Sequence, residues 1–485
     1  MTMSKFLYLT ISLVVYCNFF FTEIRAQNIP QVRMWDITHF GATSDGKKLN
    51  TLSIQKSIDA CFQAGGGTVI IPAGVFISGT ILLKSGVCIY LEENAVLKAS
   101  ENQQDYEIIS GLNPKGEPMF GKSGSFLIFA EKVKNISIQG TGKIDGSGAS
   151  FWHDEMLTEY VKKPKQWRPW ALICFVNCKN IDVSQVTLTN SPCYTLWNLG
   201  CKDVNIDGIN IQNPINGPNT DGIDIDCCRN VIVKNCTIEG GDDAIAIKSD
   251  GGRLGKNRAC QNIRITNSTL SSPPACAVRL GYEGDSPIKD VHCNNLTIKS
   301  SHHGINVVSI VADREAFAMG KGTRIKNVEF HDIQMQDVLQ PIYIWMGSER
   351  KNVKPFSYIK NIRISHLTAE NSGDSFIGST LGRSIENLYL TNITIQATNI
   401  FNEHTSFYNN VWGSKNPYLF YFKNINGLYI KNLNIRFGNM GYWKSAVLFE
   451  NSKKVFFHPF KLVGQENPIP IIPVEIIHSV VNTHF

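Results

Sequence analysis

A short phrase recurs along this chain: Lys, Arg or Gln, then Asn or Asp, then a β-branched residue, a polar one and another apolar one. It reads KNISI from Lys134, KNIDV from Lys179, KDVNI from Lys202 and RNVIV from Arg229. It continues as QNIRI from Gln261, KDVHC from Lys289, KNVEF from Lys326 and KNIRI from Lys360, with weaker copies at Glu386, Asn426 and Lys453. The closest copies, at Lys179 and Lys202, are 23 residues apart, and the longer spacings are those of turns carrying inserted loops. Self-similarity at such a period predicts a solenoid. Within each copy the apolar residues alternate with period two, as in a strand with one buried face. A second strand follows, as in VTLTN, INIQN, CTIEG and LTIKS, and then a third. Three short strands per turn, separated by Asn, Gly and Asp, predict an all-β fold, a right-handed parallel β-helix. Helical periodicity is confined to NTLSIQKSIDACFQAGGG, where Ile54, Ile58 and Cys61 share one face and Gly65 ends the segment. A short helix there would cap the open end of the solenoid and its unpaired strand edges.

The chain has 485 residues, 43% hydrophobic and 18% charged, with a formal net charge of +6. We read it as a signal peptide over 1–26 followed by one β-helix catalytic domain over 27–485, with an N-terminal cap about 35–100 and coils about 100–460. The leader has Lys5, an apolar run from Phe6 to Phe21 and a small residue at Ala26, the layout of a cleaved secretory signal. An uncleaved anchor is the alternative, but the run is short for a membrane span, and no later segment approaches one. The expected location is therefore secreted, periplasmic or cell-surface, and the expected state a monomer. No Lys/Arg run points to nucleic acid, and the slight positive balance suits acidic substrates. Thirteen cysteines are scattered through the chain, so mostly buried thiols and at most a few bridges are expected. The sequons at Asn235 and Asn392 fall among ordinary turn and strand residues and do not identify a cell type.

The repeat allows successive turns to be laid over one another. The stretches from Asp221 (DGIDID), Asp243 (DAIAIK), Cys276 (CAVRLG) and His303 (HGINVV) fall into register. Ile223, Ile225, Ile245, Ile247, Val278, Leu280, Ile305 and Val307 then point inward. Asp224, Asp226, Ala246, Lys248, Arg279, Asn306 and Val308 point outward, as do Trp197 one turn earlier and Tyr343 and Trp345 one turn later. Rungs of a β-helix lie ~4.8 Å apart. Asp221 and Asp243 should therefore stack, with Asp242 beside them. Three such carboxylates cannot all ionise cheaply, so at least one should have a raised pKa. A protonated acid beside an ionised base is the equipment of glycosidic cleavage, and a gap of ~6.5–9.5 Å between them admits a water and inverts the anomeric centre. An ordinary turn aspartate pair and a calcium site are the competing readings. Outward Lys248 and Arg279, with aromatics along the same face, favour catalysis.

At this point the sequence resembles the polygalacturonases and their relatives, glycoside hydrolase family 28. The residues that carry it are NSPCYTLWNLGCKDVNI from Asn190, NTDGIDID from Asn219 and GGDDAIAIKS from Gly240. RPWALICFVNCKNI from Arg168, GTGKIDGSGASFW from Gly140 and the amino-terminal FGATSDG fit too. The resemblance implies a right-handed β-helix and inverting hydrolysis of pectic chains. By it Asp242 would be the general acid, and Asp221 and Asp243 would hold and deprotonate the attacking water. Two family motifs are replaced: Gly-His-Gly by Ala275–Cys276–Ala277, and the carboxylate-gripping Arg-Ile-Lys by Asn306–Val307–Val308. The first change resembles the rhamnogalacturonan hydrolase branch.

Arg279 offers a planar fork for a substrate carboxylate, with Lys248 on the preceding turn. His303 and His302 could supply a ring donor, and Cys276 reads as a small packed residue. Asn219 and Tyr343 complete the expected substrate-binding set with Lys248, Arg279 and His303. The expected activity is an exported inverting glycoside hydrolase acting on an acidic plant cell-wall polysaccharide, rhamnogalacturonan-like or branched before smooth polygalacturonate. No metal or organic cofactor is expected. A β-helix lyase or uronate epimerase using Lys248 or Arg279 as base remains an alternative, as does a non-catalytic carbohydrate-binding β-helix. Inserts at Gly111–Gly124 and Gly251–Arg258 are expected to border the cleft.

Overall fold

The computed structural model describes residues 33–121, 124–312, 320–350, 356–398, 418–437, 443–458, 460–464 and 472–483. The expected signal peptide, 1–26, lies outside them. The chain winds as a right-handed parallel β-helix, and among the described residues 34 strands join in one continuous sheet. A helix, α1 (Thr51–Gln63), covers the first coils with Ile54, Ile58 and Cys61 buried, the face expected from their spacing.

The recurring phrase marks a corner. Its second residue takes the left-handed backbone conformation in coil after coil, as at Asn180 (φ 56°), Asp203 (φ 59°), Asn230 (φ 58°) and Asn327 (φ 56°). Asn and Asp tolerate that region better than other residues with a Cβ. Their side chains also reach the neighbouring coil. Asn180 donates to Asn135 at 2.8 Å, Asn230 to Asp203 at 2.7 Å, Asn262 to Asn230 at 2.8 Å and Asn361 to Asn327 at 3.0 Å. The repeat in the sequence is this hydrogen-bonded ladder. The next two apolar positions of the phrase point inward and stack: Ile136, Ile181, Val204, Val231, Ile263 and Val291 lie on successive rungs. One apolar cluster runs from Ile37 to Phe457. Fully burying each such side chain contributes ~1.5–3 kcal/mol.

The functional coils comprise β1 (Ala171–Val176), β2 (Tyr194–Leu199), β3 (Ile223–Asp226), β4 (Ile245–Ser249), β5 (Cys276–Gly284), β6 (Pro287–Val311) and β7 (Arg324–Ser348). Their register is the expected one. Ile223 pairs with Ile245 and Asp226 with Lys248; Ala246 pairs with Arg279, Arg279 with Asn306, and Asn306 with Tyr343.

The outward aromatics, however, are not solvent-facing platforms. Trp197 is 1% exposed, because Met119 and Phe120 of the first insert and Leu254 of the second fold over it. Arg253 lies against Trp197 and Trp170 at 5.5 and 5.4 Å. Tyr343 and Trp345 pack with Val308 and Ile310 in a second outer cluster. Alternation set which way these rings point; the inserts cover Trp197, and neighbouring strands cover Tyr343 and Trp345. The twelve described cysteines are all free thiols. Several precede the recurring phrase and donate to the preceding coil's carbonyls, as Cys201 does to Phe175 at 3.2 Å and Cys228 to Asn198 at 3.2 Å. No helix of the described residues is long and apolar enough to cross a membrane.

Candidate active site

The turns that lead into β3 and β4 place the acids. Thr220 Oγ1 accepts from the Gly241 N–H at 3.1 Å and donates to the Gly217 carbonyl at 3.0 Å, which locks the two turns together. A Cβ at Gly241 would come within 2.4 Å of the Pro214 carbonyl and 2.5 Å of Thr220 Oγ1, so only glycine fits there. The Gly222 N–H then donates to the Asp243 carbonyl at 2.8 Å, and the Asp243 N–H to Asp242 Oδ1 at 2.9 Å.

These constraints bring one oxygen of each of Asp221, Asp242 and Asp243 within 4.8 Å of one another. Asp243 is fully buried and Asp221 is 3% exposed, whereas Asp242 is half-buried. Of the three, Asp242 is therefore the one that best reaches the outside. Asp221 Oδ1 is buried and without a hydrogen-bond partner among the described residues.

Two cations flank the trio. Lys248 Nζ lies 3.1 Å from Asp221 Oδ2, 2.8 Å from Asp224 Oδ1 and 3.8 Å from Glu283 Oε1, and 4.1 Å from the centre of the Tyr194 ring. Arg279 Nη1 pairs with Asp243 Oδ2 at 2.9 Å, while its Nη2 donates to Cys276 Sγ at 3.3 Å. Outward register makes both expected substrate contacts. Instead each is engaged with an acid of the trio, and Lys248 is only 3% exposed. The reason lies in neighbouring outward positions: Asp224 from β3 and Glu283 from β5 close around the amine. These two, with Tyr194, belong to the site. The outward placement of Asp224 was the available signal.

Burial pushes Asp243 up to about 7 against the pull of Arg279, with Asp242 adding to the rise. Burial likewise holds Asp221 well above the usual carboxylate range, opposed by Lys248 and reinforced by Asp224, Asp242 and Asp243. Near neutrality the trio thus keeps at least part of a proton among its members. Burial works to lower Lys248, yet Asp221, Asp224 and Glu283 outweigh it and hold the amine well above its ordinary value. An amine so fixed in its charged form is no general base. Lys248 and Arg279 also supply the positive charge that a divalent ion among these carboxylates would bring.

His303 and His302 lie one turn beyond Cys276. Their Nδ1 atoms are 3.1 Å apart, and His303 Nδ1 is 3.7 Å from Cys276 Sγ. Burial lowers His302 to about 4 and His303 well below its ordinary value, so both rings are neutral. Burial pushes the Cys276 thiol well up, which leaves it a packed group rather than a nucleophile. Tyr343 stacks edge-on to His303 at 5.0 Å and is 2% exposed, so it presents no open face to a sugar. Asn219 is exposed at the head of the Asp221 turn, in the left-handed conformation (φ 55°), and its Oδ1 accepts from Arg168 at 2.7 Å. Arg168, which also donates to the Pro192 carbonyl at 3.1 Å, ties this turn to the preceding coil.

Comparison with known proteins agrees with this architecture. The family model described as "Glycosyl hydrolases family 28" matches residues 61–411. A "Probable polygalacturonase" of Vitis vinifera is 29% identical over 350 residues, 69% of this chain and 68% of that protein. An "Exopolygalacturonase" of Zea mays is 27% identical over 356 residues, 69% of this chain and 78% of its own length. Among solved structures, the exopolygalacturonase of Thermotoga maritima superposes with a TM-score of 0.63 at 19% identity, over 76% of this chain and 87% of that one. The family 28 exopolygalacturonase of Yersinia enterocolitica also gives 0.63, at 21% identity, over 92% and 78%. These two likenesses concern the fold.

Proposed function

The chain belongs to the glycosyl hydrolases family 28 and is a pectin-cleaving glycoside hydrolase; from that premise we propose that Asp242 is its general acid and that Asp221 and Asp243 hold and deprotonate the attacking water. The observation that supports these roles is the difference in burial within one cluster: two sunken carboxyls, each paired to a cation, beside one that is half-buried. Asp242 gives its proton to the glycosidic oxygen as the bond to the anomeric carbon breaks. Water attacks that carbon and releases its proton to Asp221 or Asp243. The trio ends with the same number of protons, relocated. Lys248 and Arg279 keep the two buried acids oriented and partly charged.

A single displacement inverts the anomeric centre. The nearest oxygens of the trio are closer than the ~6.5–9.5 Å separation typical of inverting carboxyl pairs, so the product anomer is the decisive measurement. Nuclear magnetic resonance of fresh product should show inversion, and Asp242→Asn should abolish new reducing ends while the chain still binds pectic oligosaccharide. Retention of configuration, or an unimpaired Asp242→Asn, would refute the assignment. An unsaturated, ultraviolet-absorbing product would instead identify a lyase.

The preferred substrate is a branched or rhamnogalacturonan-like pectin, because Asn306 and Val308 stand where relatives with Arg-Ile-Lys grip a free galacturonate carboxylate. Faster cleavage of smooth polygalacturonate than of branched fractions would overturn this ranking. Export through residues 1–26 completes the reading, and amino-terminal sequencing of the secreted protein tests it.

A further inference from the structure

The third strand column of each coil is entered through a second corner, again formed by left-handed residues. Asn235, Asn267 and Asn295 occupy it on successive coils, and Asn392 and Asn432 occupy it further along, all with φ between 51° and 56°. Here too the amides reach from coil to coil: Asn235 donates to Asp207 at 2.8 Å, Asn295 to Asn267 at 2.9 Å and Asn432 to Asn392 at 2.8 Å. On two adjacent coils between them the amide is replaced. Asp332 (φ 55°) and His366 (φ 53°) hold the corner instead, with His331 beside them. Asparagine suits both the backbone and the ladder, so the corner geometry alone does not call for a carboxylate and an imidazole on neighbouring rungs.

We propose that His331, Asp332 and His366 form a binding site for one divalent transition-metal ion, zinc before others, which staples two coils at a corner remote from the acid trio. One ligand atom of each residue lies within 4.8 Å of the other two. His331 Nδ1 is 2.7 Å from Asp332 Oδ2, and the two imidazole rings are 4.8 Å apart. Two imidazoles and a carboxylate are a donor set for zinc, copper or nickel rather than calcium or magnesium. Ligand atoms on a tetrahedral zinc sit roughly 3.3 Å apart, with water in the fourth position, so the side chains need to close in only a little. They can: the side chains of His331 and Asp332 are 40% and 51% exposed. Asn294 Oδ1 lies 3.2 Å from His331 Nδ1, and the Asn392 amide donates to His366 Nε2 at 2.9 Å; each of these contacts gives way wherever zinc takes the same ring nitrogen. The backbone is already set by the coil, so binding orders only three side chains.

The test uses the full, untagged chain, stripped with a chelator and titrated with Zn2+ alone by calorimetry, with thermal unfolding measured in parallel. The expected result is saturable binding of about one zinc per chain, with an unfolding temperature that rises with zinc concentration. His366→Asn and Asp332→Asn restore the corner amide and so keep the fold. Each should weaken binding at least tenfold and remove the zinc-dependent shift, while Asp242→Asn leaves both unchanged. Binding that is absent, that survives His366→Asn and Asp332→Asn, or that disappears with Asp242→Asn would overturn the proposal.

Discussion

Inward from β3 and β4, Ile223, Ile225, Ile245 and Ile247 stack at 0% exposure. Outward from the same strands, Asp224, Asp226 and Lys248 are hidden almost as completely, at 0%, 1% and 3%. The two faces are equally dry and chemically opposite. On the inner face, dryness is itself the stabilising force. On the outer face it opposes the fold, since removing charges from water costs more than their pairing commonly returns. What it yields is acidity displaced from ordinary values, as at Asp243 and Asp226, both pushed up to about 7. One solenoid thus carries a stabilising wall and a reactive wall on a single set of strands.

The contrast can be broken most sharply at Asp242. Asp242→Asn should lower kcat by ~10²–10⁴-fold or more, while thermal unfolding barely moves because the side chain is half-buried. A parallel loss of stability would mean that this acid belongs to the wall and not to the chemistry. Lys248→Met comes next. It strands Asp221, Asp224 and Glu283 beside an apolar chain and should cost about 3–5 kcal/mol in denaturant unfolding at neutral pH. That penalty should shrink in acid as the carboxyls take up protons. Ile247→Ala, on the inner face of the same strand, should cost about 3 kcal/mol through its cavity, equally at every pH. If both losses were flat with pH, the two faces would not differ in kind.

The last effect is a slope with pH and not a fixed loss, at Asp226, which burial and Asp250 raise from 3.8 to about 7. Between those values the folded chain keeps a proton that the unfolded chain has released. Its contribution to stability is therefore present in acid and lost as pH rises through about 7. Asp226→Asn should flatten that part of the stability curve, and an unchanged slope would show that another group sets it. The neutral asparagine can still accept the 2.8 Å bond from the Asp250 N–H, so packing is conserved.

The direction of each side chain was legible in the sequence because it depends on local alternation and on corners spelled by Asn and Asp. Thus the pairings of Asp226 with Lys248 and of Ala246 with Arg279 follow from aligning phrases. What covers an outward side chain was not legible. Lys248 is buried by Asp224, Glu283 and Tyr194, and Trp197 by Met119, Phe120 and Leu254. Those neighbours arrive from the coils on either side of Lys248 or from inserts that follow no period. The acid trio could be located from the chain, whereas the pairing of Lys248 and Arg279 with it required the fold.

The second corner has a longer consequence. At Asn235, Asn295 and Asn432 it is a tight bend whose amides tie one coil to the next. The inserts 109–121 and 250–259 lie instead before and after the column that carries the acids. Lineages can lengthen or trim the chain there without shifting a single rung, so the rim of the cleft is free to be rewritten while the spine keeps its phase.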